Sequence, residues 1–192
     1  MENTDGSAPR PSVRVISLAA APGTRESWDR PRAVIYLWAI FELVFVTNSW
    51  QISSGLRVLV LRLFGAKIGS NVIFRPRTRV RYPWKLSIGS DCWIGEGVWF
   101  HNQAPVFVGN DVVISQETLV TTGSHAHRRD MALLTRPIEI SSGCWITSRC
   151  IILGGTTLEE SVLVRPNTVV SGYVPAGKIV GTPAGMVMGD RF

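Results

Sequence analysis

Residues 86–100, LSIGSDCWIGEGVWF, place large apolar side chains at Ile88, Ile94 and Phe100, six positions apart. A second uncharged residue stands two positions before each, at Leu86, Cys92 and Val98. A period of six matches neither the turn of a helix, about 3.6 residues, nor the two-residue alternation of a plain strand. It suits short strands separated by turns, each strand sending two side chains inward.

The same register extends outward from this stretch. Upstream it takes in Ile68, Phe74 and Val80; downstream it takes in Val108, Ile114 and Val120, then Ile140, Ile146 and Ile152, then Leu158, Val164 and Val170. The residues two positions before them include Ala66, Val72, Thr78, Thr118, Cys144, Cys150 and Thr168; none of the fifteen is charged and most are small. Taken three to a coil of eighteen residues, these pairs predict a prism of about five coils over residues 66–192. Each coil would bury its inward residues on the next, as in solenoids. The spacing widens to eight at Val80–Ile88 and Phe100–Val108, which predicts two-residue bulges at corners. Between Val120 and Ile140 it widens to twenty, leaving an excursion at 121–137. A long loop in so regular a fold points to function.

Residues 1–30 are rich in Ser, Pro, Ala and Arg without periodicity and predict a mobile tail. Residues 31–65 predict a helical segment. Asp29 is placed to cap a helix that begins near Pro31 and ends at Asn48 and Ser49. A second helix fits Ser54 to Phe64, with Leu56, Leu59, Val60, Leu63 and Phe64 as its apolar stripe, Arg57 and Arg62 directed elsewhere, and Gly65 closing it. The run AVIYLWAIFELVFV at 33–46 contains Glu42 and is shorter than the roughly 20 residues that span a bilayer. It predicts a buried or membrane-surface helix.

Charged residues make up 18% of the chain, below the roughly 25% of typical soluble domains, and the mean hydropathy is +0.17. That balance excludes disorder along the whole length. The net charge of +6 suits an anionic ligand or membrane surface, whereas no motif supports nucleic-acid binding. The three cysteines form no CxxC, and the polar N-terminus has no signal-peptide pattern, so a cytoplasmic location is expected. Cys92, Cys144 and Cys150 all fill the small inward slot and read as buried hydrophobes. Arg75, Arg77, Arg79 and Arg81 alternate outward along the first coil and read as a solvated edge.

His125 lies in TTGSHAHRRD, at the mouth of the excursion. A neutral imidazole there could remove a proton from an attacking hydroxyl. Together with the repeat, the segments LRLFGAKIG, YPWKLSIGSDCWIGEGV, VISQETLVTTGSHAH, GCWITSRCII and GTPAG resemble the hexapeptide-repeat acyltransferases. The likeness runs from about residue 33 onward and is strongest to the acetyltransferases of colanic-acid and other exopolysaccharide synthesis. It implies an all-β chain: a left-handed parallel β-helix of about five coils with an N-terminal helical segment.

The resemblance also implies roles. In the family the catalytic histidine follows the aliphatic residue opening the preceding coil by 17 positions, which is the spacing from Val108 to His125. Trp145 and Ser148 match the wall that packs on the pantetheine arm of acetyl-CoA, with a backbone N–H near the serine meeting the thioester oxygen. Asn102 and His127 are the candidate contacts to the acceptor sugar, and His101 lies beside Asn102. Relatives hold the coenzyme's phosphates with a Lys that is missing here, where Arg165-Pro166 and Ser171-Gly172 stand, so Arg165 and Lys178 are assigned that charge. Gly185 replaces an Arg found in many relatives. Zinc-binding carbonic anhydrases of this fold use three histidines at spacings that His101, His125 and His127 do not reproduce, so no metal is expected.

The implied protein is an acetyl-CoA-dependent O-acetyltransferase acting on a sugar or lipid-linked oligosaccharide, with active sites between the subunits of a homotrimer. Residues 31–64 would allow peripheral contact with the inner face of the membrane. The alternatives are a non-catalytic β-helix scaffold and a membrane-associated assembly protein.

Overall fold

The structure, a computed structural model, describes residues 14–22 and 28–183. Most of the tail expected at 1–30, together with Gly185, lies outside the described residues.

Three parallel sheets close a triangular prism. The first face stacks Lys67–Ile68, Leu86–Ile88, Val106–Val108, Ile138–Ile140, Thr157–Leu158 and Tyr173–Val174. The second stacks Ile73–Phe74, Trp93–Ile94, Val113–Ile114, Trp145–Ile146, Leu163–Val164 and Ile179–Val180. The third stacks Arg79–Val80, Trp99–His101, Leu119–Thr121, Ile151–Leu153 and Val169–Val170. The fifteen large inward residues are all buried, none above 9% exposed, and of their companions only Val72 is half-buried. The three cysteines are buried and unpaired, and burial pushes the Cys92 and Cys144 thiols up, which keeps them protonated.

The prism has five full coils and two strands of a sixth, one partial coil more than the expected five. The six-residue rhythm fails before that sixth coil because Gly172, at φ +81°, shortens the step from Val170 to Val174 to four residues.

Two of the three corners obey one rule. The third residue after each inward aliphatic takes a positive φ, at Asn71 and Arg77, Asp91 and Gly97, Asp111 and Glu117, Gly143 and Arg149, then Ser161 and Asn167. These left-handed positions turn the chain from one face to the next in a fixed step. The remaining corner, after the third face, carries every change in spacing, including both bulges and the long excursion.

The helical segment closes the first coil. Helix α1 (Arg32–Phe41) runs into a π-helical turn (Glu42–Thr47), and α2 (Ser54–Leu63) follows with Ser53 Oγ accepting from Leu56 N–H at 3.2 Å. Trp38, Val46, Val58, Val60 and Leu61 pack onto the core. Asp29 does not cap α1: no side chain does, and Asp29 instead pairs with Lys85 Nζ at 2.7 Å.

The stripe of α2 is also rotated from its expected position. Arg57 is fully buried, whereas Leu59 and Leu63 are 52% and 71% exposed. Arg57 turns inward because it donates to the carbonyls of Val46, Asn48 and Gln51, tying the end of the π-helical turn to α2.

Candidate active site

The excursion is an antiparallel hairpin, Gly123–His125 against Leu133–Thr135. Thr122 anchors its base: the buried hydroxyl accepts from Ala104 N–H at 2.9 Å, and the Thr122 carbonyl accepts from Arg136 N–H at 3.0 Å. The hairpin stands over a cleft of about 680 Å³ at the third corner, lined by both hairpin histidines and by Leu153, Gly154 and Ser171 from neighbouring coils.

His125 is exposed to this cleft, and its Nδ1 lies 2.8 Å from the Met131 carbonyl across the hairpin. A carbonyl only accepts, so Nδ1 carries the hydrogen and Nε2 presents a lone pair. Met131 has φ +59° in a turn whose amides converge on the Ala126 carbonyl, so backbone geometry alone sets the tautomer of His125. No side chain in the sequence signals this contact. His127 is exposed in the same cleft, with its N–H on the His125 carbonyl at 2.7 Å.

The other predicted residues lie elsewhere. Trp145 is 49% exposed on the second face, and its Nε1 donates to Ser115 Oγ at 3.1 Å. Ser148 Oγ donates to Gln116 Oε1 at 3.2 Å. Ser115 and Gln116 thus hold both residues in place, and they line a groove that also contains Trp93 and Val113. Trp93, Val113 and Trp145 stack in register along the second face, and the first two supply an indole and an aliphatic side chain to the groove. The Ser148 N–H makes no hydrogen bond among the described residues.

Arg165 and Lys178 follow on the same side, Arg165 just after Leu163–Val164 and Lys178 just before the paired Ile179–Val180. The Arg165 stem lies across Gly181, where a Cβ would come within 2.7 Å of it. Both cations are exposed.

Asn102 is placed differently from its expected role at the acceptor. It is fully buried, its amide bracketing the Tyr82 peptide by accepting from the N–H at 3.0 Å and donating to the carbonyl at 2.7 Å. The polar residue in that bulge stitches two coils together, and both ends of its buried amide are occupied in doing so. His101 is half-buried beside Thr121 Oγ1 at 3.1 Å; burial, and then the Arg81 charge, hold its pKa below the usual value for histidine. The arginine edge is only partly solvated, because Arg79 lies 4.6 Å over the Trp99 ring and Arg77 pairs with Glu96 and Glu117.

A parallel prism with a histidine hairpin leaving one corner defines a class, the hexapeptide-repeat acetyltransferases. No protein-family model matches the chain. It is 34% identical, over 149 residues, to the Escherichia coli (strain K12) protein assigned as colanic acid biosynthesis acetyltransferase WcaF, covering 77% of this chain and 81% of that one. It is 30% identical to nodulation protein L of Rhizobium meliloti (strain 1021), over 66% of this chain and 72% of the relative. Among solved structures it matches the hexapeptide-repeat acetyltransferase VCA0836 of Vibrio cholerae O1 biovar eltor complexed with acetyl coenzyme A, with a TM-score of 0.71 and 23% identity over 78% of this chain and 82% of that one. The chain belongs to the acetyltransferase family that includes WcaF.

Proposed function

We propose that the protein transfers an acetyl group from acetyl-CoA to a hydroxyl of a sugar or oligosaccharide in exopolysaccharide synthesis. The observation that carries this reading is the His125 Nδ1–Met131 carbonyl bond, which frees Nε2 as a base facing an open cleft. Nε2 takes the acceptor's hydroxyl proton as that oxygen attacks the thioester carbonyl. The tetrahedral oxyanion is held by the Ser148 N–H, and collapse expels the coenzyme thiolate, to which the imidazolium returns its proton. Trp145 walls the pantetheine arm, and Arg165 and Lys178 hold the phosphates.

In one chain the His125 cleft contains neither Trp145 nor Ser148. That separation supports a homotrimer in which the cleft of one subunit meets the second face of its neighbour. The exposed column of Trp93, Trp145 and Ile179 supports the same arrangement. We place this trimer in the cytoplasm, with residues 31–64 against the inner face of the membrane; the support is the exposure of Tyr36, Ile40 and Leu43 along α1 and its continuation. Replacing His125 with Ala should lower kcat by about 10²–10⁴ while coenzyme A binding, read by calorimetry, persists. A near-normal kcat would refute the assignment.

A further inference from the structure

The cleft under the hairpin has a charge imbalance that general-base chemistry does not require. Arg128 and Arg129 at the hairpin tip and Arg136 at its base all line it, together with two histidines. Among the described residues no carboxylate lines it. The hairpin's one acidic residue, Asp130, turns its Oδ1 onto the Ala132 N–H at 3.0 Å. Among the described residues the ion pairs are Arg77–Glu96, Arg77–Glu117 and Lys85–Asp29, so none of the three cleft guanidiniums has an acidic partner.

Arg136 is also placed rather than merely exposed. Its N–H is fixed on Thr122, and its aliphatic stem crosses Gly155, where a Cβ would come within 3.2 Å of it. Gly155 takes φ +86°, so both its bare Cα and its backbone conformation admit the arginine. In the same cleft, Leu134 and Leu153 offer apolar surface suited to the face of a sugar ring. Guanidinium groups recognise carboxylate and phosphate through paired N–H donors, and they do so best where no protein anion competes.

We infer that the acceptor is an anionic glycan, one that bears a carboxylate or phosphate close to the hydroxyl to be acetylated, and that Arg128, Arg129 and Arg136 read that charge. This rests on the proposed acetyl transfer at His125. The anion could be a uronic acid within the chain or a phosphate at its reducing end, and both present the same oxygens.

The experiment compares kcat/KM for three acceptors: a glucuronic-acid-containing oligosaccharide, its carboxyl-reduced counterpart, and the reduced counterpart carrying a reducing-end phosphate. One or both anionic acceptors should exceed the neutral one by tenfold or more at low salt, and the advantage should shrink as ionic strength rises. Preference for the first alone assigns the charge to a uronate, and for the third alone to a phosphate. In Arg136→Gln and in the Arg128→Ala/Arg129→Ala variant the ratio should fall at least tenfold, Arg136→Lys should restore part of it, and the KM for acetyl-CoA should hold. Equal use of all three acceptors overturns the inference and leaves the acetyl transfer standing. So does a rise in the KM for acetyl-CoA with the acceptor ratio unchanged, which would assign the arginines to the donor. Absence of any His125-dependent transfer sinks the underlying reaction, and this inference with it.

Discussion

At the scale of the residue, Arg57 illustrates what a pattern leaves out. The periodicity of α2 identifies apolar positions and directs Arg57 outward, yet the guanidinium is fully buried and holds three backbone carbonyls. Burial pushes its pKa down, with no carboxylate to offset the cost. The π-helical turn leaves carbonyls at its end that need a donor, and the sequence names no such need. Arg57→Met should therefore destabilise the fold by on the order of 2–4 kcal/mol, read by denaturant titration, because orphaned buried carbonyls cost about 1–3 kcal/mol each. Little change in stability would mean that water or the linker satisfies them. Asn102 and Met131 were hidden for the same reason. A polar letter reveals neither its partner nor the backbone atom that will orient its neighbour, whereas the inward slots were legible because burial selects a side-chain type directly.

At the scale of the element, the join between helices and prism turns on one peptide. Val80 lies on the outer edge of the first coil, where its N–H and carbonyl have no neighbouring strand. Glu42 Oε1 accepts from the N–H at 2.7 Å, and Trp38 Nε1 donates to the carbonyl at 2.9 Å. An uncovered strand edge invites pairing with other chains, and this device closes it. Burial pushes the Glu42 carboxyl up, outweighing the Val80 N–H and the charges of Arg79 and Arg81 that pull it down. A carboxyl that binds its proton more tightly when folded stabilises the fold below the ordinary value of 4.5 and loses that contribution as the pH rises through its folded pKa. Glu42→Gln keeps the acceptor and removes the charge. It should match or exceed the parent in stability at neutral pH and flatten the decline above 4.5, as read by thermal melts across pH. An unchanged pH profile would assign the slope to other groups. The run at 33–46 announced a helix with an awkward glutamate; only the edge strand explains why the glutamate is there.

At the scale of the whole molecule, apolar surface gathers at the helical end. Tyr36, Ile40 and Leu43 recur along one side, Trp50, Ile52, Leu59 and Leu63 are exposed as well, and Arg30 and Arg32 flank the start of α1. Among the described residues no helix is long and apolar enough to cross a membrane. Inserting an apolar side chain at an interface contributes about 1.5–3 kcal/mol, and a basic residue near an anionic surface about 1 kcal/mol. The protein should float with anionic vesicles, and Ile40→Glu/Leu43→Glu should abolish flotation while leaving the oligomer's mass intact. Loss of mass in that variant would instead make the patch a subunit contact. The prism itself was readable from the six-residue rhythm, and so was the location of the excursion. The two corner positions that demand positive φ were not, because Arg77, Glu117 and Arg149 fill them as readily as Asn or Gly does. Those two corners lock the step between faces, which leaves the third corner as the single address at which the chain changes length. Successive coils align that address along one edge, so the edge works as a splice seam. Exchanging the segment at 122–137 for a relative's should carry the proposed acceptor reading with it, without shifting any ladder out of register.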